Sequence, residues 1–190
     1  MDGKVKDIIL ITTKRTDKRL LNRMKYHYSK PKGFVGRSIC YAVYYDRIYY
    51  GHIVGGSSTR FLPGRNEYLG ITLKELNYVV NNIFFNVSPV NDKYPIRNFT
   101  TECVKKFVRT IQVDWIEKYG NDVLGFETLV ELPRTGELYR KAGWIEVGRT
   151  KGFTCKRTGG RGTDSWTGKK VWNTTNLRPK IVLCYKLRIK

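Results

Sequence analysis

The clearest periodicity in the chain is the recurrence of apolar Val104, Phe107, Val108, Ile111 and Trp115 at helical spacing among polar neighbours. Asn98 precedes them as a candidate N-cap, Thr101 and Glu102 fall in the first turn and Gly120 marks the stop, which predicts a helix over 98–120. Residues 17–28 read as a second, basic amphipathic helix with Leu20, Leu21 and Met24 on one side. Residues 7–12 form a short β-rich run. Segments 38–45 and 47–54 are β-branched and aromatic, and Tyr45-Asp46-Arg47 between them reads as a turn, so a hairpin is predicted that Gly55 and Gly56 stop. Residues 79–87 have strand character after a helical lead-in over 73–78. A buried-type strand at 123–130, a short helix at 136–142, a strand at 144–148, a Gly- and Thr-rich basic loop at 158–170 and a strand at 181–189 complete the order. A hairpin followed by alternating strands and helices predicts a mixed α/β (α+β) sheet flanked by helices.

Composition narrows the class. The chain has 190 residues, enough for a single domain with a sizeable core, and a 41% hydrophobic fraction that excludes a disordered chain. No apolar run approaches the roughly 20 residues that span a bilayer, so no membrane is expected and the reading is cytoplasmic. Cys40, Cys103, Cys155 and Cys184 are scattered without a C-x-x-C pair, the pattern of reduced thiols and not of a disulfide framework.

Charge then adds a partner. The formal net charge is +20, and it is not spread evenly. Residues 1–40 hold eleven Lys or Arg against three acids, and residues 149–190 hold twelve against one, while 41–148 is nearly neutral at thirteen against twelve. One domain over 1–190 with two basic terminal segments implies a polyanion, and a nucleic acid is the expected partner. Lys25 in the first segment, and Arg149, Lys151, Arg157, Arg161, Lys169 and Lys170 in the second, suit phosphate contacts. Trp166, interleaved with the second set, suits base stacking.

Several residues carry candidate chemistry. His27, one of two histidines, lies between Tyr26 and Tyr28 and precedes Ser29; it suits proton transfer or metal ligation, or else sits near phosphates on the surface. Glu127 falls within an apolar strand, where a carboxylate is either tuned as a general base or tied to an arginine in an ion pair. Asn82, also in an apolar strand, reads a base edge or satisfies backbone groups. Arg97 and Asn98 open the long helix, whose free N–H groups attract an anion; in the plainer reading Asn98 only caps and Arg97 is solvated. No metal-ligand spacing is present, so a metal is neither read nor excluded.

Two levels of resemblance add to this. Leu138-Tyr139-Arg140-Lys141-Ala142-Gly143-Trp144 followed by Val147-Gly148 resembles the L-Y-x-x-x-G-F/W…G segment of the Gcn5-related N-acetyltransferases (GNATs). The glycine-rich pyrophosphate loop of that family is replaced here by Ile96-Arg97-Asn98-Phe99-Thr100-Thr101. More narrowly, Tyr26-His27-Tyr28-Ser29, Asn81-Asn82-x-Phe84, Asn98-Phe99-Thr100-Thr101 and Gly136-x-x-Tyr139 resemble the phage Mom-type DNA-modification proteins. Asp114-Trp115…Tyr119-Gly120…Glu127-Thr128-Leu129-Val130 resembles a related protein of the Druantia anti-phage systems. The resemblance implies a divergent acetyltransferase fold that places a small acyl or glycinamide-type group on the exocyclic N6 amine of adenine in duplex DNA, shielding phage DNA from restriction. It implies acyl-CoA (acetyl-CoA) or another small acyl or aminoacyl donor at Arg97, Asn98 and Thr101, with iron as the metal if one is used. Tyr139 and Glu127 would do acid–base work, and His27, Tyr28 and Ser29 would engage the substrate. The rivals are a non-catalytic DNA-binding component of a defence system and an acyltransferase acting on tRNA or protein.

Overall fold

The computed structural model describes residues 7–152, 154–155, 172–173 and 177–187. Its sheet contains β1 (Ile8–Thr13), β2 (Ser38–Tyr45), β3 (Ile48–Ser57), β4 (Val79–Val87), β5 (Gly125–Glu131), β6 (Ile145–Arg149) and β9 (Lys180–Lys186), in the spatial order β1-β2-β3-β4-β5-β9-β6. β7 (Thr154–Cys155) and β8 (Trp172–Asn173) form a separate antiparallel ribbon. All neighbours in the seven-stranded sheet are antiparallel except β4 and β5. The helices are α1 (Lys18–Tyr26), α2 (Arg65–Leu69), α3 (Phe99–Tyr119) and α4 (Glu137–Lys141), and Leu73–Tyr78 is a 3-10 segment. The mixed α/β class read from the chain is therefore the class observed. None of the described helices is long and apolar enough to cross a membrane.

Side-chain periodicity decides which helix covers which face. On α3, Val104, Phe107, Ile111 and Trp115 face Tyr41, Val43, Ile53 and Phe126 of the sheet in the main core. Burying one such side chain stabilises by about 1.5–3 kcal/mol. On the opposite face, Leu20 and Met24 of α1 pack on Cys40, Val54 and Phe84. Asp17 caps α1, its carboxylate accepting from the amides of Arg19 and Leu20. Asp46 and Arg47, both at positive φ, make the two-residue turn of the β2–β3 hairpin, whose backbone matches the strand twist.

Three expectations are corrected. The first helix ends at Tyr26, two residues early, because His27 turns to extended backbone (φ −71°, ψ 142°). The hairpin does not stop at Gly55 and Gly56, since β3 runs through both to Ser57 with a register shift after Val54. A Cβ on Gly55 would lie 2.1 Å from Ile111 Cδ1, so glycine there admits α3 against the sheet instead of ending the strand. Asn98 occupies the start of α3 but does not cap it with its side chain. It sits in the left-handed region (φ 57°), which asparagine tolerates, and only its carbonyl joins the helix, accepting from Glu102.

Candidate active site

The parallel pairing of β4 with β5 lasts only from Val79↔Gly125 to Asn81↔Glu127. Beyond it β4 stays with β3 and β5 stays with β9, so the two strands part. The gap is the wall of a cavity of about 960 Å³, the size of a cofactor or drug-sized ligand site. The start of α3 (Asn98, Thr100, Thr101) and the start of α4 close its ends, and His27, Tyr28 and Arg134 line its mouth.

Asn82, the first β4 residue past the pairing, is 4% exposed and fully committed. Its amide donates to the carbonyls of Val54 (3.1 Å) and Phe84 (3.2 Å), which spans the β3 register shift. Its backbone carbonyl accepts from Thr128 Oγ1 at 3.0 Å. Its carboxamide oxygen accepts from the Tyr139 hydroxyl at 2.5 Å. One side chain thus ties β3, β4 and α4 together, and its amide group satisfies backbone as the plainer reading held. Burial raises the Tyr139 pKa well above that of an ordinary phenol, an effect that a Thr128 hydrogen bond partly offsets. Tyr139 is a protonated donor at the cavity wall.

His27 is 7% exposed and stacks on Phe84 at 4.7 Å between centroids. The Ser29 backbone N–H donates to Nδ1 at 3.3 Å, which makes Nδ1 the acceptor nitrogen, and Ser29 Oγ lies 2.8 Å from it. Burial lowers the His27 pKa, a backbone hydrogen bond with Phe85 opposes this, and the Arg134 charge adds to it. His27 is therefore held neutral near pH 7, and an exposed serine connects it to solvent.

The start of α3 has no side-chain cap, and it opens into the cavity at Thr100 and Thr101. The first-turn amides of a 21-residue helix and its partial positive charge face that space.

No protein-family model and no curated protein matches the sequence. Solved structures do match the fold. An acetyltransferase from Bacillus subtilis in complex with CoA aligns at TM-score 0.57 and 14% identity over 96% of this chain and 100% of its own. A GNAT family acetyltransferase from Elizabethkingia anophelis with acetyl-CoA bound aligns at 0.55 and 12% identity over 95% and 98%. The IAA acetyltransferase of Bacillus cereus aligns at 0.51 and 14% identity over 95% and 100%. The fold is that of the GNAT acetyltransferases.

Within this GNAT fold, six of the residues singled out from sequence line one cavity: His27, Tyr28, Asn82, Asn98, Thr101 and Tyr139. Ser29 joins them through His27. Glu127 does not. It is fully buried and ion-paired to Arg65 Nη1, and its other oxygen accepts from the Thr59 amide at 2.6 Å. Burial pushes its carboxyl up, while Arg65 and the Thr59 amide pull it back. This is the ion-pair alternative, holding the 59–65 loop to β5. Arg97 is exposed beside the α3 start, and Lys25, Arg149 and Lys151 are exposed away from the cavity wall; Arg149 pairs with Glu146 at 2.8 Å. Arg157, Arg161, Trp166, Lys169 and Lys170 lie outside the described residues. Among the described residues no three His, Cys, Asp or Glu side chains are grouped to hold a metal.

Sequence reasoning missed Arg134, whose guanidinium lies 3.8 Å over the Tyr28 ring. It also assigned no role to Lys141, Tyr94 and Ser88, which line the cavity wall. Arg134 and Lys141 bracket the L-Y segment, which was the available signal.

Proposed function

We propose that the protein is an acyltransferase that takes a small acyl or aminoacyl group from an acyl-CoA or similar donor and places it on the exocyclic N6 amine of adenine in double-stranded DNA. The observation that carries the transferase reading is the meeting, in one cavity, of an uncapped helix start with a neutral histidine and a protonated tyrosine. The likeness to acetyltransferases bound to CoA and acetyl-CoA supports the donor class. The DNA acceptor is supported by the Mom-type segments, which fall on the cavity, and by basic segments that flank a nearly neutral middle.

In this reading the first-turn amides of α3 hold the anionic part of the donor, with Arg97 beside them. The donor supplies an activated acyl carbon. As the adenine amine bonds to that carbon and the bond to the leaving group breaks, His27 takes the amine proton and Ser29 passes it to solvent. Tyr139 turns its hydroxyl from Asn82, gives its proton to the leaving group and takes one back from solvent as the products depart, restoring the bond to Asn82. Asn82 sets the position of the Tyr139 hydroxyl. Reaching an amine inside a duplex requires an extruded base, and a cavity of about 960 Å³ gives it room. Protection of phage DNA from restriction would follow from the modification.

Purified protein incubated with isotopically labelled acetyl-CoA and a DNA duplex tests this. Label recovered in the adenine nucleoside is the expected result, and label recovered only in protein or in added tRNA would overturn the acceptor assignment.

A further inference from the structure

Four planar groups stand in a row from the core to the cavity mouth. Phe84 is 1% exposed, and His27 lies on it at 4.7 Å between centroids with 43° between planes. Tyr28 follows at 4.3 Å from His27 with 37° between planes. The Arg134 guanidinium ends the row, 3.8 Å from the centre of the Tyr28 ring. The inner members are fixed by packing. Arg134 is different: it is exposed, comes from the loop between β5 and α4, and among the described residues its side chain has no ion pair or hydrogen bond.

A guanidinium over a phenol ring is a flat, polarisable cation occupying the place where a flat heterocycle also stacks. Among the described residues this is the one ring, ion-pair or hydrogen-bond contact of the side chain, which is otherwise exposed. Such a contact is readily exchanged. The ring it covers opens onto the cavity that holds His27 and Tyr139.

We propose that the outer face of Tyr28 is the stacking site for the acceptor base, and that Arg134 occupies it in the free protein and is displaced when the base enters. This rests on the DNA-base reading above and goes beyond it by naming the surface on which the base lies. Displacement also takes a positive charge away from His27, whose proton affinity that charge depresses, so the base and its proton acceptor are prepared by one movement.

The test compares two short duplexes of equal charge. One carries an adenine opposite an abasic site, which removes most of the cost of extruding it; the other is abasic on both strands. The ratio of their dissociation constants isolates the base contact from the phosphate contacts. The intact protein is expected to favour the adenine duplex by about tenfold or more. Tyr28→Leu is expected to bring that ratio to near one while leaving affinity for the doubly abasic duplex unchanged, and Tyr28→Phe to restore it. Arg134→Ala, an exposed change that leaves the fold intact, is expected to raise the ratio by removing the competitor. Equal binding of both duplexes by the intact protein, or a ratio that survives Tyr28→Leu or falls in Arg134→Ala, would overturn the stacking site while DNA binding stands. Failure to bind either duplex would overturn the DNA reading with it.

Discussion

The Tyr139 hydroxyl donates to the Asn82 carboxamide oxygen at 2.5 Å, joining α4 to β4 across the gap that opens between β4 and β5. Two elements that share no sheet pairing are thereby held at a set distance, and the phenol is fixed on the wall of the cavity.

Breaking that bond has separable consequences. Tyr139→Phe leaves the Asn82 oxygen buried without a partner and is expected to cost about 1–3 kcal/mol in urea unfolding, with the fold retained. Asn82→Ala removes three contacts at once and is expected to cost more than Tyr139→Phe under the same conditions. Acyl transfer is expected to be lost in Tyr139→Phe even where the protein is fully folded.

Glu127 and Arg65 are expected to behave as structure. Removing one partner of a fully buried ion pair leaves the other charge uncompensated, so Glu127→Gln and Arg65→Met should each cost about 3–5 kcal/mol. The double replacement Arg65→Met with Glu127→Leu should recover much of this. Whatever fraction folds should transfer at the normal rate, because neither residue reaches the cavity. A kcat drop without a stability loss in Glu127→Gln would contradict this assignment.

Acid destabilisation should carry a histidine component. His52 is fully buried, with Tyr49 Oη 2.6 Å from Nδ1 and Nε2 without a partner among the described residues. Burial lowers its pKa from 6.5 to about 4. The unfolded chain therefore binds a proton that the native one refuses, and stability is lost as pH falls from about 6.5 toward 4. The His52 share is about 2–3 kcal/mol. Unfolding free energies of the protein and of His52→Gln, taken from urea titrations between pH 7 and pH 4, should converge by that amount. His27 shifts in the same direction and remains in both.

Thr100→Glu separates helix stability from donor binding. A carboxylate in the first turn of α3 favours the helix by about 0.3–1 kcal/mol but places negative charge where the donor's phosphates would lie. The melting temperature of the free protein should hold or rise slightly. The further rise produced by CoA in the unsubstituted protein should vanish.

The long elements were legible because their packing leaves a period in the chain. Val104, Phe107, Ile111 and Trp115 announce α3, and Leu20 and Met24 announce α1, since each must fill one face of the sheet. The five-residue α2 gives no such signal, being held by tertiary contacts of Leu69 and by the Arg65–Glu127 pair. Gly55 misleads, because a glycine selected for the close approach of Ile111 looks like one that ends a strand. Glu127 was readable as a buried carboxylate in need of a partner, but not as the partner of Arg65, which lies on another element. Likewise the Tyr28 ring was visible and its cover was not: Arg134 reaches it from a loop after β5, a contact that only the fold creates.

The most direct test of the central claim is mass spectrometry of nucleosides from plasmid DNA co-expressed with this protein, against a Tyr139→Phe control. A heavier deoxyadenosine present with the unsubstituted protein and absent from the control is the expected result, and its added mass identifies the group transferred. Unmodified deoxyadenosine, from cells in which the folded protein is abundant and binds DNA, would contradict the modification reading and leave a DNA-binding protein on an acetyltransferase fold.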